Sequence, residues 1–327
     1  MPVPVLHRRI RIDGVDTFYR EAGPAEAPVV LLPHGYPCSS YEFRNYMRHL
    51  GDSWRLLAPD FPGAGHSATP PDFAYDFDGF AAFLTGFANA LGVGRFALYL
   101  HDFGSQIGLR LAIREPERIA ALIIQNGDIY EDVLGPKYAG LQEIWALPRP
   151  DGIAKLGASI TLDHFRDEFL NEVDGTLAER ISPDLWALHW SQMTDQRRAL
   201  AAQIIYDLKD NLAWFPRYQA YLRTHLPPTL ILWGPKDGYM PEESGRAYLR
   251  DVPDAELHML DGGHWLLETH LEEAVALSRD FLARMHPQTG RRGQETVSPS
   301  PAAAPRSGTR RPTSARPRQS PRSAPLP

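Results

Sequence analysis

The stretch "ALYLHDFGSQIGLRLA", residues 97–112, decides the fold. An apolar run from Phe96 to Leu100 reads as a buried strand. His101-Asp102-Phe103-Gly104-Ser105 follows, and an amphipathic helical pattern begins at once. An acid on so abrupt a strand-to-helix turn has two readings. It caps the helix, since Asp is a favoured N-cap residue, or it is displayed for chemistry.

Around this stretch apolar runs alternate with amphipathic segments. Two candidate strands, "LHRRIRIDG" and "VDTFYREAG", open the chain. "APVVLLPHG" and "WRLLAPDFPGAG" carry buried-strand runs on either side of helical "YEFRNYMRHLG". Helical "FDGFAAFLTGFANALGVG" precedes the quoted stretch, and strand "IAALIIQNGD" follows it. Such alternation predicts an α/β fold, a mostly parallel doubly wound sheet with helices on both faces. It stops near Asp128 and resumes after Leu226 with strand "TLILWG", helix "EESGRAYLRDV", strand "AELHML" and helix "LEEAVALSRDFLARM". The domain expectation is a core of residues 1–127 and 227–286 with a helical insertion over 128–226. Insertions of this kind sit over the carboxyl ends of parallel strands, where ligands bind in such sheets.

The chain has 327 residues, 43% of them hydrophobic, which is ample for a sizeable core. Its net charge of −6 is unevenly spread: eight arginines and one glutamate lie in residues 287–327. The acidic body before them gives no support for nucleic-acid binding. The last 41 residues hold nine prolines and almost no large apolar side chains, which predicts a disordered Pro/Arg/Ser-rich tail over 287–327 whose partner, if any, the sequence does not name. Cys38 is the single cysteine, so no intrachain disulfide forms, and no Cys/His cluster has zinc spacing. No signal-type h-region and no apolar run of membrane-spanning length occurs. The expectation is a cytoplasmic protein acting on a small molecule, with no cofactor, no metal and no membrane contact.

Three polar residues each follow a strand run: Asp102, Asp237 in "WGPKDGYMP", and His264 in "LDGGHWLLE". In a parallel sheet all three stand on one rim. A nucleophile, a base and an orienting acid need that common rim, because the base must reach both partners. The chain order of nucleophile, acid and histidine is that of nucleophile-elbow hydrolases. Asp128, at the end of the preceding strand, is a second candidate for the orienting acid. Ser105 lacks the G-x-S-x-G frame and lies inside the helix start, so it is set aside as nucleophile.

With these residues in place, the chain resembles the α/β-hydrolases, in particular the branch with an aspartate nucleophile that holds epoxide hydrolases and haloalkane dehalogenases. The resemblance rests on "PHGYPCSSYEFR", "LLAPDFPGAGHS", "LHDFGSQIG", "LWGPKDGYMP" and "DGGHWLLETH", across residues 30–270, with the helical insertion as the family's cap. It implies that Asp102 attacks substrate carbon to form an ester, that His264 activates water to hydrolyse it, and that Asp237 holds the imidazole. It also implies that the backbone N–H groups of Tyr36 and Phe103 form the oxyanion hole, with His34 and His101 structural. The chemistry suits the residue, because a carboxylate is ionised at pH 7 without a base to help it.

The sequence departs from that pattern twice. The position two before the nucleophile is small in the family, and here it is Leu100. Position 103 is Phe where dehalogenases and many epoxide hydrolases carry a Trp, whose N–H in the dehalogenases helps hold the leaving halide, and Tyr36 stands where one dehalogenase group has Asn. Epoxide opening needs tyrosine hydroxyls instead, and the insertion offers Tyr130, Tyr138, Tyr206, Tyr218 and Tyr221. Tyr206 is the candidate for polarising the substrate. Epoxide hydrolysis through an aspartyl ester is therefore the expected activity, with haloalkane dehalogenation as the alternative. A ligand-binding or receptor-like protein on the same fold is the alternative of another class.

Overall fold

The computed structural model describes residues 2–170 and 173–285, and the tail expected over 287–327 lies outside the described residues. Eight strands form one sheet: β1 (Val5–Ile12), β2 (Val15–Ala22), β3 (Val29–Leu31), β4 (Arg55–Pro59), β5 (Phe96–His101), β6 (Ile119–Gln125), β7 (Thr229–Trp233) and β8 (Glu256–Met259). Their order across the sheet is β1-β2-β4-β3-β5-β6-β7-β8. β2 runs antiparallel to β1 and to β4, and every other pairing is parallel. Among the described residues no helix is long and apolar enough to cross a membrane.

The core helices are α1 (Arg44–Leu50), α2 (Phe77–Ala90) and α3 (Phe103–Arg114). Between β6 and β7 the described elements are helical: α4 (Tyr138–Trp145), α5 (Arg149–Ser159), α6 (Leu162–Leu170), α7 (Gly175–Ala178), α8 (Pro183–Ser191), α9 (Asp195–Leu212) and α10 (Phe215–His225). After β7 come α11 (Glu242–Ala247), α12 (Leu266–Thr269) and α13 (Leu271–Met285).

Strand alternation sorts the core into two layers. Phe96, Leu98 and Leu100 of β5 face the layer filled by α2 and α3, while Ala97 and Tyr99 face the layer with α1 and α13. His101 therefore shares its face with Tyr99, away from Leu100. β5 and β6 are buried at every position, as central parallel strands must be, with helices on both faces.

The bulky Leu100 is accommodated by a glycine on the facing helix. A Cβ on Gly108 of α3 would lie 2.3 Å from Leu100 Cδ2, well inside contact distance. The bare Cα of Gly108 is what lets helix and strand approach around Leu100. Gly108→Ala is accordingly expected to destabilise the fold by about 1–3 kcal/mol through overpacking, against a helix-propensity gain of about 1 kcal/mol. Urea denaturation of Gly108→Ala, Leu100→Ala and the double variant checks this. The double variant should be more stable than the sum of the single losses predicts, because each change relieves the other.

Candidate active site

β5 delivers Asp102 into a backbone conformation that side chains rarely adopt, with φ 49° and ψ −131°. The Asp102 side chain makes no capping hydrogen bond to α3, so the capping reading of this acid does not hold. Its own N–H donates to Asn126 O at the end of β6, at 3.2 Å. Strain of this kind persists only where surroundings enforce it, and it gathers at functional sites. Asp102 Oδ1 accepts the Tyr36 N–H at 2.7 Å, and the carboxylate is held by the Phe103 N–H as well. A Cβ on Gly35 would fall 2.3 Å from that same oxygen, so the loop approaches the carboxylate only because position 35 is bare. His34 braces this loop by accepting the Phe61 N–H on Nε2 at 3.0 Å.

His264, in the loop after β8, places Nε2 3.7 Å from Asp102 Oδ2 and Nδ1 2.7 Å from Asp237 Oδ2. Asp237, in the loop after β7, is fixed by three further donors. Tyr239 N and Met240 N donate to Oδ1 at 2.9 and 3.0 Å, and Asn126 Nδ2 donates to Oδ2 at 2.9 Å. Asn126 also clasps Gly234 through both ends of its amide. Asn126 follows the last residue of β6. Its positive φ of 37° aims its amide at the next strand's loop, and no local pattern announces that.

The two carboxylates are tuned in opposite directions. Burial raises the Asp102 carboxyl above the ordinary value, against the pull of His264, His101 and the two N–H groups. Burial pushes Asp237 up too, but His264 and the Tyr239 and Met240 N–H groups outweigh it and hold the carboxyl below its ordinary value. Asp237 is thus the better stabilised anion of the two and Asp102 the less stabilised one. His101 sits behind the site, its ring centroid 4.4 Å from that of His264, with Nε2 3.1 Å from His264 O and Nδ1 3.3 Å from Glu42.

A cavity between sheet rim and cap reaches Asp102 and His264 and is walled by Leu141, Leu156, Ile160, Leu208 and Trp265, with Gln106, Asp128 and Tyr138 as polar members. Tyr206 is a correction to the sequence reading. It is absent from this lining; its hydroxyl donates to Leu147 O and accepts from Lys209 Nζ, both at 2.8 Å. Its ring packs where Gly152 leaves room, so helix packing turns it away from the substrate. Tyr130 donates to Asp251, Tyr218 to Asn211, and Tyr221 stacks on His225. Of the five insertion tyrosines, Tyr138 lines the cavity. Asp128, the second candidate for the orienting acid, pairs with Tyr138 and Gln106, while His264 pairs with Asp237. Ser105 is buried outside the lining, which agrees with setting it aside.

Neither aromatic neighbour of Asp102 presents a free side-chain N–H toward it. Phe103 stacks on Tyr36 at 6.1 Å and has no donor, and the Trp265 indole donates to Glu168 O at 2.9 Å. Among the described residues no group of three or more His, Cys, Asp or Glu could hold a metal ion.

A strand-order switch, a strained acid on the rim and an acid–imidazole pair facing it define a hydrolase of the nucleophile-elbow kind. Residues 28–271 match the α/β-hydrolase fold family, and the chain belongs to it. It is 33% identical over 275 residues to an uncharacterised hydrolase of Saccharomyces cerevisiae, YNR064C, covering 83% of this chain and 93% of that one. A haloalkane dehalogenase of Bradyrhizobium diazoefficiens is 36% identical over 121 residues, 37% of this chain and 39% of the other. Epoxide hydrolase 4 of Mus musculus is 26% identical over 287 residues, 84% and 78% of the two chains. The crystal structure of haloalkane dehalogenase DbeA from Bradyrhizobium elkani superposes with a TM-score of 0.71 at 22% identity, covering 87% of this chain and 99% of that one.

Proposed function

We propose that this hydrolase opens epoxides through an ester on Asp102. The observation that carries the reading is the arrangement around one carboxylate: Oδ1 accepts the Tyr36 N–H, the Phe103 N–H also donates to the carboxylate, and Oδ2 faces His264 Nε2 across 3.7 Å. In the first half-reaction Asp102 Oδ2 attacks an epoxide carbon, the C–O bond breaks, and an ester forms with Oδ1 as its carbonyl oxygen. In the second, water enters beside His264, which takes its proton as the oxygen adds to the ester carbonyl carbon. The charge that develops on Oδ1 meets the N–H groups of Tyr36 and Phe103 already in place. Asp237 holds the imidazole in register and stabilises it while it carries the proton. The ester then collapses, the diol leaves, and Asp102 is regenerated.

Two features favour an oxygen leaving group over a halide. A departing halide needs side-chain N–H donors, and Phe103, Tyr36 and the engaged Trp265 offer none. A departing alkoxide needs a hydroxyl that can supply a proton, and Tyr138 lies in the cavity wall. Haloalkane hydrolysis is the second reading, supported by the likeness to a haloalkane dehalogenase over 121 residues.

A single-turnover reaction in heavy-oxygen water tests the ester. The label should enter the Asp102 carboxylate, not the first diol released, because the water oxygen adds to the acyl carbon. Label found only in the diol would overturn the ester mechanism. Assay of matched epoxides and bromoalkanes separates the two readings, with epoxides the faster.

A further inference from the structure

One carboxyl in the cavity wall takes no part in the ester chemistry just described. Asp128 follows β6, is 1% exposed and lines the same cavity as Asp102. Its Oδ2 accepts the Tyr138 hydroxyl, and its Oδ1 accepts Gln106 Nε2 at 2.8 Å. The groups that bear on it are Tyr138 from α4, Gln106 from α3, the carboxylates of Asp102 and Asp237, and Tyr248 beyond α11. Tyr138 itself feels both Asp102 and Asp237, which places its hydroxyl in the field of the reacting carboxylate.

We propose that Asp128 and Tyr138 form a proton relay to the departing substrate oxygen, with Asp128 the reservoir and Tyr138 the hydroxyl that hands the proton over. This rests on the ester reading above. Burial pushes the Asp128 carboxyl up to about 7, with the Tyr138 hydrogen bond working against it and Asp102 and Asp237 adding to it, so it is protonated in acid and gives up its proton around neutrality. Burial raises Tyr138 far above its ordinary value, so tyrosinate cannot be left behind. The two facts fit one device. A protonated Asp128 donates to the Tyr138 oxygen, which turns the Tyr138 O–H toward the cavity.

The step balances. As the Asp102 Oδ2–carbon bond forms and the epoxide C–O bond breaks, the oxygen takes the Tyr138 proton and Tyr138 takes the Asp128 proton. Ester hydrolysis later releases one proton from water through His264, and solvent returns one to Asp128 before the next turnover. Asp128 acts through Tyr138, so it is a positioning residue in proton transfer, and Tyr138 alone touches the substrate.

The test uses the full chain with a 1,2-epoxyalkane and its trifluoromethyl analogue, whose departing oxygen is far less basic. Asp128→Asn and Tyr138→Phe should slow ester formation from the ordinary epoxide by about 100-fold, the usual size of a lost general acid. The trifluoromethyl epoxide should lose much less. Wild-type ester formation should decline as pH rises through about 7, where Asp128 loses its proton, and Asp128→Asn should lack that decline. Asp128→Glu should restore the alkaline limb, which guards against a variant that merely misfolds. Equal losses with both epoxides, or an alkaline limb that survives Asp128→Asn, overturns the relay and leaves the ester intact. Absence of any ester on Asp102 in wild type overturns the ester reading and the relay with it.

Discussion

His264→Gln is expected to let Asp102 esterify and then to stop the reaction there. The glutamine amide fills much of the imidazole volume but cannot take a proton from water. Attack by Asp102 needs no base, because the carboxylate is itself the nucleophile, so the first half-reaction survives. Steady-state turnover should fall by about 10³–10⁴-fold, the upper range for a missing general base. Mass spectrometry of the Asp102 peptide should show the full substrate mass, and a burst of about one equivalent should precede the stall. Loss of turnover without any added mass would mean that His264 is needed for the attack itself, as a serine-type mechanism requires. Asp237 supplies the control. Asp237→Asn leaves a neutral partner 2.7 Å from His264 Nδ1, so the ester should accumulate partially and decay slowly.

Asp102→Asn should abolish turnover and the burst together. The amide keeps an oxygen to accept the Tyr36 N–H, so the loop should hold its place. Asparagine is also among the few side chains that tolerate the positive φ found at this turn. The amide is not a nucleophile toward carbon, and the loss should reach about 10⁴-fold or more, as for removal of other covalent nucleophiles. Stability should move the other way. Burial raises the Asp102 carboxyl, so its charged form is disfavoured in the fold at neutral pH. An acid whose folded value lies above its unfolded one weakens the fold as pH rises through the interval between them. Removing that charge should therefore stabilise the protein by about 1 kcal/mol at pH 7, the familiar exchange between stability and activity at functional sites. Thermal denaturation across pH checks it: the gain should vanish in acid, where Asp102 is neutral already. A variant less stable than wild type at every pH would show that the carboxylate is structural.

Much of the site was legible along the chain because its signals are local. A strand of six apolar or aromatic positions ending at His101, an acid, and a helix of period near 3.6 lie within nineteen residues from Phe96 to Arg114, and short-range sterics shape that turn. Asp237 and His264 stand out as candidates in the same way, as polar residues just past strand ends. The alternation of apolar runs and helices implied the parallel sheet, and its lapse between β6 and β7 implied the insertion.

What needed the tertiary structure was every choice between equivalent candidates. Asp128 and Asp237 follow adjacent strands and are alike in sequence. Hydrogen-bond geometry gives His264 to Asp237 and leaves Asp128 with Tyr138. Of five tyrosines in the insertion the sequence favours Tyr206, but helix packing turns it toward Leu147 and Lys209 and leaves Tyr138 in the cavity wall. Leu100 looked too large for its turn until Gly108, eight residues on, was seen to face it. The sequence by itself determined which residues stand on the rim, because that follows from chain-local periodicity. Only the fold decided which of them meet, because a hydrogen bond between residues far apart in the chain depends on how helices pack over the sheet.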